Sequence, residues 1–133
     1  MAKPSNPSPS NSRILRGAAA ESAVAKFLVE RGYEILGRNV RVGHLEVDLL
    51  VKKADVVAVV EVRCRSQASW VGPFESMTKK KVCHVVAAGR ALWNLRFESD
   101  PSVNRLRFDA ASVVVTAQNG FVIEYVEGFW EAD

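Results

Sequence analysis

The segment GHLEVDLLVKKADVVAVVEVRCRS, Gly43 to Ser66, decides the fold, because two Val-rich runs in it flank a short polar turn. The runs predict strands over 45–51 and 56–65. Three carboxylates interrupt these otherwise apolar strands: Glu46, Asp48 and Glu61. Ionised carboxylates are costly to bury without an opposite charge, so the segment predicts that a positive group or ion meets them.

The rest of the chain supplies two helices and three further strands. The first helix is predicted from Arg13 within the Ala-rich run RILRGAAAESAVAKFLVERGY, and the second from Lys79 to about Phe97. The further strands are predicted over 34–40, 107–116 and 121–126, the last two joined by a turn at Asn119-Gly120. The order α-β-β-β-α-β-β predicts an α/β fold in which helices flank a mixed central sheet.

The bulk properties indicate one ordinary globular domain. Residues 1–12 are rich in Pro, Ser and Asn and predict a disordered tail, which leaves 13–133 as a single domain. The chain is 48% hydrophobic and 25% charged, which excludes a disordered or membrane-embedded class. No apolar run approaches the roughly 18 residues of a membrane span, and no hydrophobic signal region opens the chain, so we expect a cytoplasmic protein without a membrane partner.

Net charge and cysteine content place few further constraints on the function of the protein. The net charge of +3 permits a polyanionic partner without demanding one. Cys64 and Cys83 have no metal-ligand spacing, so reduced thiols are expected. The sequence also allows a homodimer.

Strand geometry predicts that the three acids meet. Side chains alternate along a strand, so Glu46 and Asp48 share one face, and their apolar neighbours take the other: Leu45, Val47 and Leu49. An even-numbered hairpin loop, of two or four residues, pairs Val51 with Val56 and sets Glu46 opposite Glu61. Asp48 is then a diagonal neighbour of Glu61, at about 7–8 Å, on the same sheet face. An odd-numbered loop would break this inference.

Acids this close favour a bridging cation. Helix one adds Glu21, which lies beside the apolar stripe of that helix and points toward the sheet. Mg²⁺ prefers carboxylate oxygens, and a water that it activates can attack a phosphodiester. Salt bridges to nearby arginines are the structural alternative.

Five runs of the sequence together resemble the YraN-like family of small bacterial proteins: RGAAAESAVAKFLVERGYEILGRNVR, LEVDLL, VVEVRCRS, SMTKKKVCHVVAAGRAL and RFDAASVV. The resemblance covers nearly everything after the tail. That family resembles the restriction-endonuclease-like superfamily and, within it, the archaeal Holliday junction resolvases, whose signature is a helix Glu, an Asp and then Glu-x-Lys. The resemblance implies a restriction-endonuclease-like α-β-β-β-α-β core and a nuclease that requires Mg²⁺ or Mn²⁺.

The resemblance also implies roles for individual residues. Glu21 matches the helix acid, Asp48 and Glu61 match the metal-binding pair, and the backbone carbonyl of Val62 completes the metal shell. Glu46 matches the first acid of the family's Gly-Glu-Ile-Asp-like segment and is an additional candidate ligand, although Leu45 stands where the family usually has glycine.

Arg63 takes the position of the signature lysine. A lysine can orient or deprotonate the attacking water, whereas arginine keeps its proton and cannot act as a base. Arg63 is therefore assigned to contact with the scissile phosphate, and its presence weakens the inference of catalysis.

Basic residues predict where nucleic acid binds. Lys79, Lys80 and Lys81 follow Thr78, a candidate N-cap, at the helix end whose dipole disfavours cations, so phosphate binding explains them better than stability does. A solvated charge run is the alternative. Four arginines complete the predicted surface: Arg16, Arg38, Arg41 and Arg65.

The sequence supports three hypotheses for function. The favoured one is a Mg²⁺-dependent endonuclease acting on DNA, with catalytic residues Glu21, Asp48, Glu61 and Arg63 and, by analogy of fold, branched DNA as the substrate. The second is a nucleic-acid-binding module that retains the fold without cleavage. The third is a protein-interaction scaffold, in which the acids and lysines are incidental.

Overall fold

The computed structural model of the chain describes residues 9–66, 78–118 and 120–130, the side chains of 9–16 and 66 excepted. Its elements are α1 Pro9–Glu30, β1 Glu34–Val42, β2 Leu45–Lys53, β3 Val56–Ser66, α2 Lys79–Leu92, a π-helical turn Trp93–Phe97, β4 Arg105–Val115 and β5 Phe121–Trp130. The predicted order of helices and strands is confirmed. Helix α1 begins at Pro9, before the predicted start at Arg13.

The five strands form one sheet in the order β1-β2-β3-β4-β5. β3 and β4 are parallel, and every other neighbouring pair is antiparallel. Parallel neighbours require a crossover connection, and α2 lies in it. The mixed central sheet predicted from the sequence is therefore confirmed.

The two helices pack on opposite faces of this sheet. Along β3, Ala58 and Val60 pack with the α1 residues Val24 and Leu28. Val57 and the residue two positions further along the strand point the other way and pack with α2. Because successive strand side chains point to opposite faces, each helix has its own apolar core. Within the described residues no helix is long and apolar enough to cross a membrane.

The β2–β3 hairpin has a tighter register than predicted. Lys53 pairs with Val56 across the two-residue loop Ala54-Asp55, so Val51 faces Ala58 rather than Val56. The loop has an even number of residues, which was the condition for the predicted arrangement, but the pairing differs from the predicted one by two residues. Ala54 adopts a left-handed φ of 53°, which lets the chain reverse in two residues.

The β4–β5 hairpin follows the prediction at its turn and extends beyond it at its far end. Thr116 N–H donates to the Gly120 carbonyl at 2.8 Å, which closes the turn; Asn119 lies outside the described residues. β5 continues past residue 126 to Trp130, with a register shift against β4 between Phe108 and Ala110. Gly128, at a φ of 62°, accommodates this irregularity.

A buried ion pair fixes the end of β5 against β4 and against Tyr33, the residue that precedes β1. Arg107 donates from Nε and Nη2 to both carboxylate oxygens of Asp109, at 2.8 and 2.9 Å. The same carboxylate accepts hydrogen bonds from Tyr125 Oη and from Gly128 N–H, and Arg107 also donates to Tyr33 Oη at 2.6 Å. Asp109 is fully buried, so these donors satisfy a charge that water does not reach.

Candidate active site

Three of the four predicted acids, Glu21, Asp48 and Glu61, line one cavity of about 440 Å³ at the point where β2 separates from β3. Seven residues line this acid pocket: Gly17, Glu21, Asp48, Glu61, Val62, Arg63 and Cys64. The regular β2–β3 pairs end with Leu49 and Val60. The next residues along each strand, Asp48 and Glu61, therefore stand at the opening between the strands, with α1 forming another wall.

Asp48 takes the place of a strand partner at this opening. Its Oδ2 accepts the backbone N–H of Val62 at 2.9 Å, a donor that would otherwise bond a carbonyl of β2. In an antiparallel pair the N–H and C=O of one residue point to the same neighbour. The Val62 carbonyl is therefore directed toward β2 and the acid pocket.

Glu61 is a buried acid beside a second acid and a lysine. Its side chain is 4% exposed, and Lys81 Nζ lies 3.0 Å from its Oε1. Burial, and then the negative charge of Asp48, raise the pKa of Glu61 from 4.5 to about 7, while Lys81 opposes the rise and a hydrogen bond between the two acids adds to it. At neutral pH this carboxyl therefore holds a proton for part of the time.

Glu21 and Glu46 meet through Asn39, a residue that the sequence analysis did not select. With its amide nitrogen directed at the carboxylates, Asn39 donates to Glu46 Oε1 at 3.0 Å and to Glu21 Oε2 at 3.3 Å. This orientation is assigned, because the opposite one sets the amide oxygen against two acceptors. Asn39 has a φ of 49°, which asparagine tolerates better than most residues.

The pKa of Glu21 reflects the same crowding. Burial first, and then the charge of Asp48, raise it above its ordinary value, while the hydrogen bond from Asn39 and the charge of Arg38 lower it. Two strands and a helix therefore bring four carboxylates into one electrostatic environment, and two of the four have raised pKa values.

The alternation of side chains predicted that the acids share one sheet face. In the structure they do not. Glu61 binds Lys81 of α2 on one face, whereas Glu46 is linked to Glu21 of α1 on the other. The apolar neighbours show the same change, because Leu45 and Val47 pack with the α2 core and Leu49 with the α1 core. Where the ladder to β3 ends, β2 no longer keeps strict alternation. Asp48 then reaches Glu61 through the opening, so the predicted proximity holds by a different route.

The predicted basic residues fall into separate groups. Arg63 lines the acid pocket. Arg41 Nη2 lies 4.0 Å from Glu46 Oε2, and Arg38 Nη1 donates to Ser22 Oγ at 3.3 Å. Arg65 is half-buried on β3, and the side chain of Arg16 lies outside the described residues.

The lysine run divides at the start of α2. Thr78 caps the helix, accepting the Lys81 N–H at 3.1 Å, as predicted. Lys79 and Lys80 are exposed, whereas the Lys81 side chain turns inward to Glu61. Sequence spacing alone carried no sign that one of three adjacent lysines would pair with the buried Glu61.

The donor set fits a divalent cation bound through two carboxylates. No group of three or more His, Cys, Asp or Glu side chains, within the part of the chain that the structure describes, is spaced to hold a metal ion. Mg²⁺ keeps several waters and is often bound through one or two carboxylates, and the acid pocket has room for those waters. Asp48, Glu61 and the Val62 carbonyl fit such an ion once Glu61 has given up its proton.

Comparisons with known proteins agree with the family resemblance. A family model described as "Uncharacterised protein family UPF0102" matches residues 20–113, a span that includes Glu21, Asp48, Glu61 and Lys81. A UPF0102 protein of Sorangium cellulosum is 38% identical over 117 residues, which are 88% of this chain and 81% of that protein. A UPF0102 protein of Bacteroides thetaiotaomicron is 36% identical over 112 residues, 84% of this chain and 88% of that protein. The chain therefore belongs to the UPF0102 family.

Proposed function

We propose that this protein is a metal-dependent nuclease that hydrolyses phosphodiester bonds in DNA. The observation that carries the proposal is the juxtaposition of half-buried Asp48 with buried Glu61 in the acid pocket. Arg63 lines the same cavity, and Lys81 Nζ lies 3.0 Å from Glu61. Perturbed carboxylates in a polar cleft, next to cationic side chains, are typical of active sites.

Mg²⁺ or Mn²⁺ would be held by Asp48, Glu61 and the Val62 carbonyl, and would supply an activated water and offset negative charge on the phosphate. The other carboxylates act from further away. Glu21 supports the ion's waters, and Glu46, held by Asn39, adds negative charge that favours a cation. Glu61 must lose its proton for the ion to bind, because protonated carboxyls are poor ligands.

Arg63 and Lys81 together would fill the roles that the signature assigns to one lysine. Arginine stays protonated and can contact the scissile phosphate through its planar fork, but it does not accept a proton from water. Lys81 stands 3.0 Å from Glu61 and supplies a titratable amine at the same site. With a cation held there, Lys81 would no longer be needed to neutralise Glu61, and its ammonium would be available to the attacking water or the phosphate.

The choice of DNA rests on surrounding charge and on family resemblance. Lys79, Lys80 and Arg38 place exposed positive charge near the acid pocket, which suits a polyanion. Branched DNA as the substrate rests on the resemblance to archaeal Holliday junction resolvases. A cytoplasmic location follows from such a substrate, and a homodimer would provide one site for each of two strands.

One observation favours a second candidate, a nucleic-acid-binding module that does not cleave. The Lys81–Glu61 ion pair already compensates the buried acid. The buried acid thus has a positive partner within the protein itself, and Arg63 removes the base that the signature provides. The two candidates therefore differ in whether Asp48 and Glu61 bind a cation.

Cleavage and metal binding should be measured on the same preparations. Labelled single-stranded, duplex and four-way DNA would be incubated with the protein in Mg²⁺, Mn²⁺ or EDTA, while calorimetry follows Mn²⁺ binding. We expect metal-dependent cleavage by the wild type, and loss of both cleavage and Mn²⁺ binding in Asp48→Asn. Glu46→Gln, a charge-matched change outside the ion's direct ligands, should retain binding with lower affinity.

Two further variants test the cationic residues. Lys81→Gln should abolish cleavage while leaving Mn²⁺ binding in place or improved, because it removes a competing cation. Arg63→Lys should cleave at least as fast as the wild type if Arg63 only contacts phosphate. A wild type that binds DNA but neither binds Mn²⁺ nor cleaves any of the three substrates would reject the nuclease and favour the binding module.

A further inference from the structure

A second cavity, of about 390 Å³, lies at the other end of α2 from the acid pocket. We call this cavity the arginine pocket. The residues that line it include Arg90, Trp93, Asn94, Arg105, Leu106 and Phe108. The first three belong to α2 and the π-helical turn, and the others to β4. Neither the predicted site residues nor the proposed mechanism uses any of them.

The change of helix type shapes this pocket. Arg90, Trp93 and Asn94 lie at i, i+3 and i+4, so they share one face of the helix. From Trp93 the helix widens into the π form, in which Glu98 N–H donates to the Trp93 carbonyl at 2.8 Å. Such π-helical turns occur often at functional sites.

A glycine brings the helix close to β4 just before the π-helical turn. A Cβ atom at Gly89 would stand 2.4 Å from the Phe108 ring, closer than real Cβ contacts. The absence of a side chain therefore lets α2 rest on the ring that forms the floor of the pocket.

The rim of the pocket carries cationic and amide groups with free bonding capacity. Arg90, Arg105 and Asn94 are exposed, and none of their side chains makes a hydrogen bond or ion pair with any other described residue. The floor is apolar, formed by Phe108, Leu106 and part of Trp93, which also packs against the core. Two guanidinium groups above an aromatic floor suit a ligand with both a phosphate and a flat ring, as a nucleotide has.

The exposed face of α2 connects this pocket with the acid pocket. Lys80, His84, Ala87 and Arg90 are exposed at helical spacing, and no Asp or Glu occurs from residue 78 to residue 97. From Lys81 to Arg90 the helix rises about 14 Å, which is about four base steps of 3.4 Å along a strand. One polyanion can therefore follow this face from the arginine pocket to the end of α2 at which Lys81 contacts Glu61 of the acid pocket.

We propose that the arginine pocket binds a nucleotide of the same nucleic acid whose scissile phosphate enters the acid pocket. Arg90 and Arg105 hold its phosphate, Asn94 contacts its sugar or base, and Trp93 offers a face for stacking. The inference rests on the proposed function for the identity of the polyanion. It assigns the pocket to positioning of the strand about four nucleotides from the cleavage site.

Binding in EDTA tests this inference without any cleavage. Fluorescence anisotropy would follow labelled single-stranded and duplex DNA over a range of salt concentrations, with the wild type, Arg90→Gln/Arg105→Gln and the control Arg31→Gln/Arg96→Gln. Both double variants lose the same net charge, and the control charges lie outside either pocket. We expect the Arg90/Arg105 variant to flatten the slope of log affinity against log salt by about two for duplex DNA, and the control to change it little.

A further variant tests stacking. Trp93→Leu keeps apolar volume under the helix but removes the ring, and should weaken single-stranded DNA binding about tenfold. If this variant is destabilised, the arginine pair still decides the question.

The outcomes separate this inference from the proposed nuclease. Equal affinities and salt slopes for the two double variants would overturn the inference, even if the wild type cleaves DNA in Mg²⁺. A selective loss in Arg90→Gln/Arg105→Gln supports it, even if no cleavage is found. Binding of poly-glutamate, but not DNA, that depends on the same arginines would overturn it in favour of an acidic protein partner.

Discussion

Asp48 accepts the backbone N–H of Val62 at 2.9 Å and so holds a carboxylate in the opening between two strands. This contact joins the two strands after their regular pairing has ended at Leu49 and Val60. It also directs Asp48 at Glu61. A single hydrogen bond therefore positions the pair of acids on which the proposed chemistry depends.

Replacing Asp48 with asparagine should stabilise the metal-free protein. An asparagine carbonyl still accepts the Val62 N–H, but it removes the charge that helps to raise the pKa of Glu61. In EDTA at pH 8 we expect the free energy of unfolding to increase by about 1 kcal/mol, which would be seen as a higher urea midpoint. In Mn²⁺ the order should reverse, because only the wild type gains stability from the ion. A wild type whose midpoint ignores Mn²⁺ would contradict the metal site.

Glu61 should make the metal-free protein less stable as the pH rises. Folding raises its pKa from 4.5 to about 7, so the folded state binds the proton more tightly than the unfolded state. The stabilisation is fully present below pH 4.5 and is lost as the pH rises through 7. The largest contribution of this group to the free energy of unfolding is on the order of 3 kcal/mol.

Urea unfolding in EDTA at several pH values measures this effect. Glu61→Gln, which cannot ionise, should remove most of the decline between pH 5 and pH 8. A decline of equal size in that variant would assign the pH dependence to other groups.

Asp109 should matter for stability and not for the acid pocket. Asp109→Ala leaves the half-buried Arg107 without its bidentate partner and should cost about 3–5 kcal/mol. Tyr125→Phe removes one hydrogen bond to the same carboxylate and should cost about 2 kcal/mol. Denaturant unfolding gives both values. A purely structural role predicts that Mn²⁺ affinity of folded Tyr125→Phe equals that of the wild type.

The same substitution should have opposite effects at two alanines. Ala54 has a left-handed φ of 53° in the β2–β3 loop, where glycine avoids steric strain, so Ala54→Gly should stabilise the fold by about 1 kcal/mol. Ala87 is exposed in the middle of α2, where glycine costs about 1 kcal/mol. Thermal melts of both variants check the sign. Destabilisation by both would mean that the loop does not strain Ala54.

Much of the fold could be predicted from the sequence, because its causes are local. Apolar alternation marked β2 and β3, the Asn119-Gly120 turn predicted the last hairpin, and Thr78 marked the start of α2. These signals depend on side-chain period, turn conformation and capping, which act over a few residues.

The sequence also predicted which acidic residues form the candidate site, but it did not predict how they are arranged. Strict alternation placed Glu46, Asp48 and Glu61 on one face, whereas β2 departs from β3 beyond Leu49 and brings the acids together from both faces. The end of a ladder depends on the twist of the whole sheet and on both helices that pack against it. No local pattern in the segment records it.

The sequence by itself determined the order of elements, the mixed sheet and which carboxylates lie near one another. Only the tertiary structure decided that Lys81 pairs with Glu61, that Asn39 links Glu21 to Glu46, and that Arg90 and Arg105 frame a second pocket. The physical reason is that each of these contacts joins residues from different elements. Their distances depend on how the helices pack on the sheet, and the period of side chains within one element carries no information about that packing.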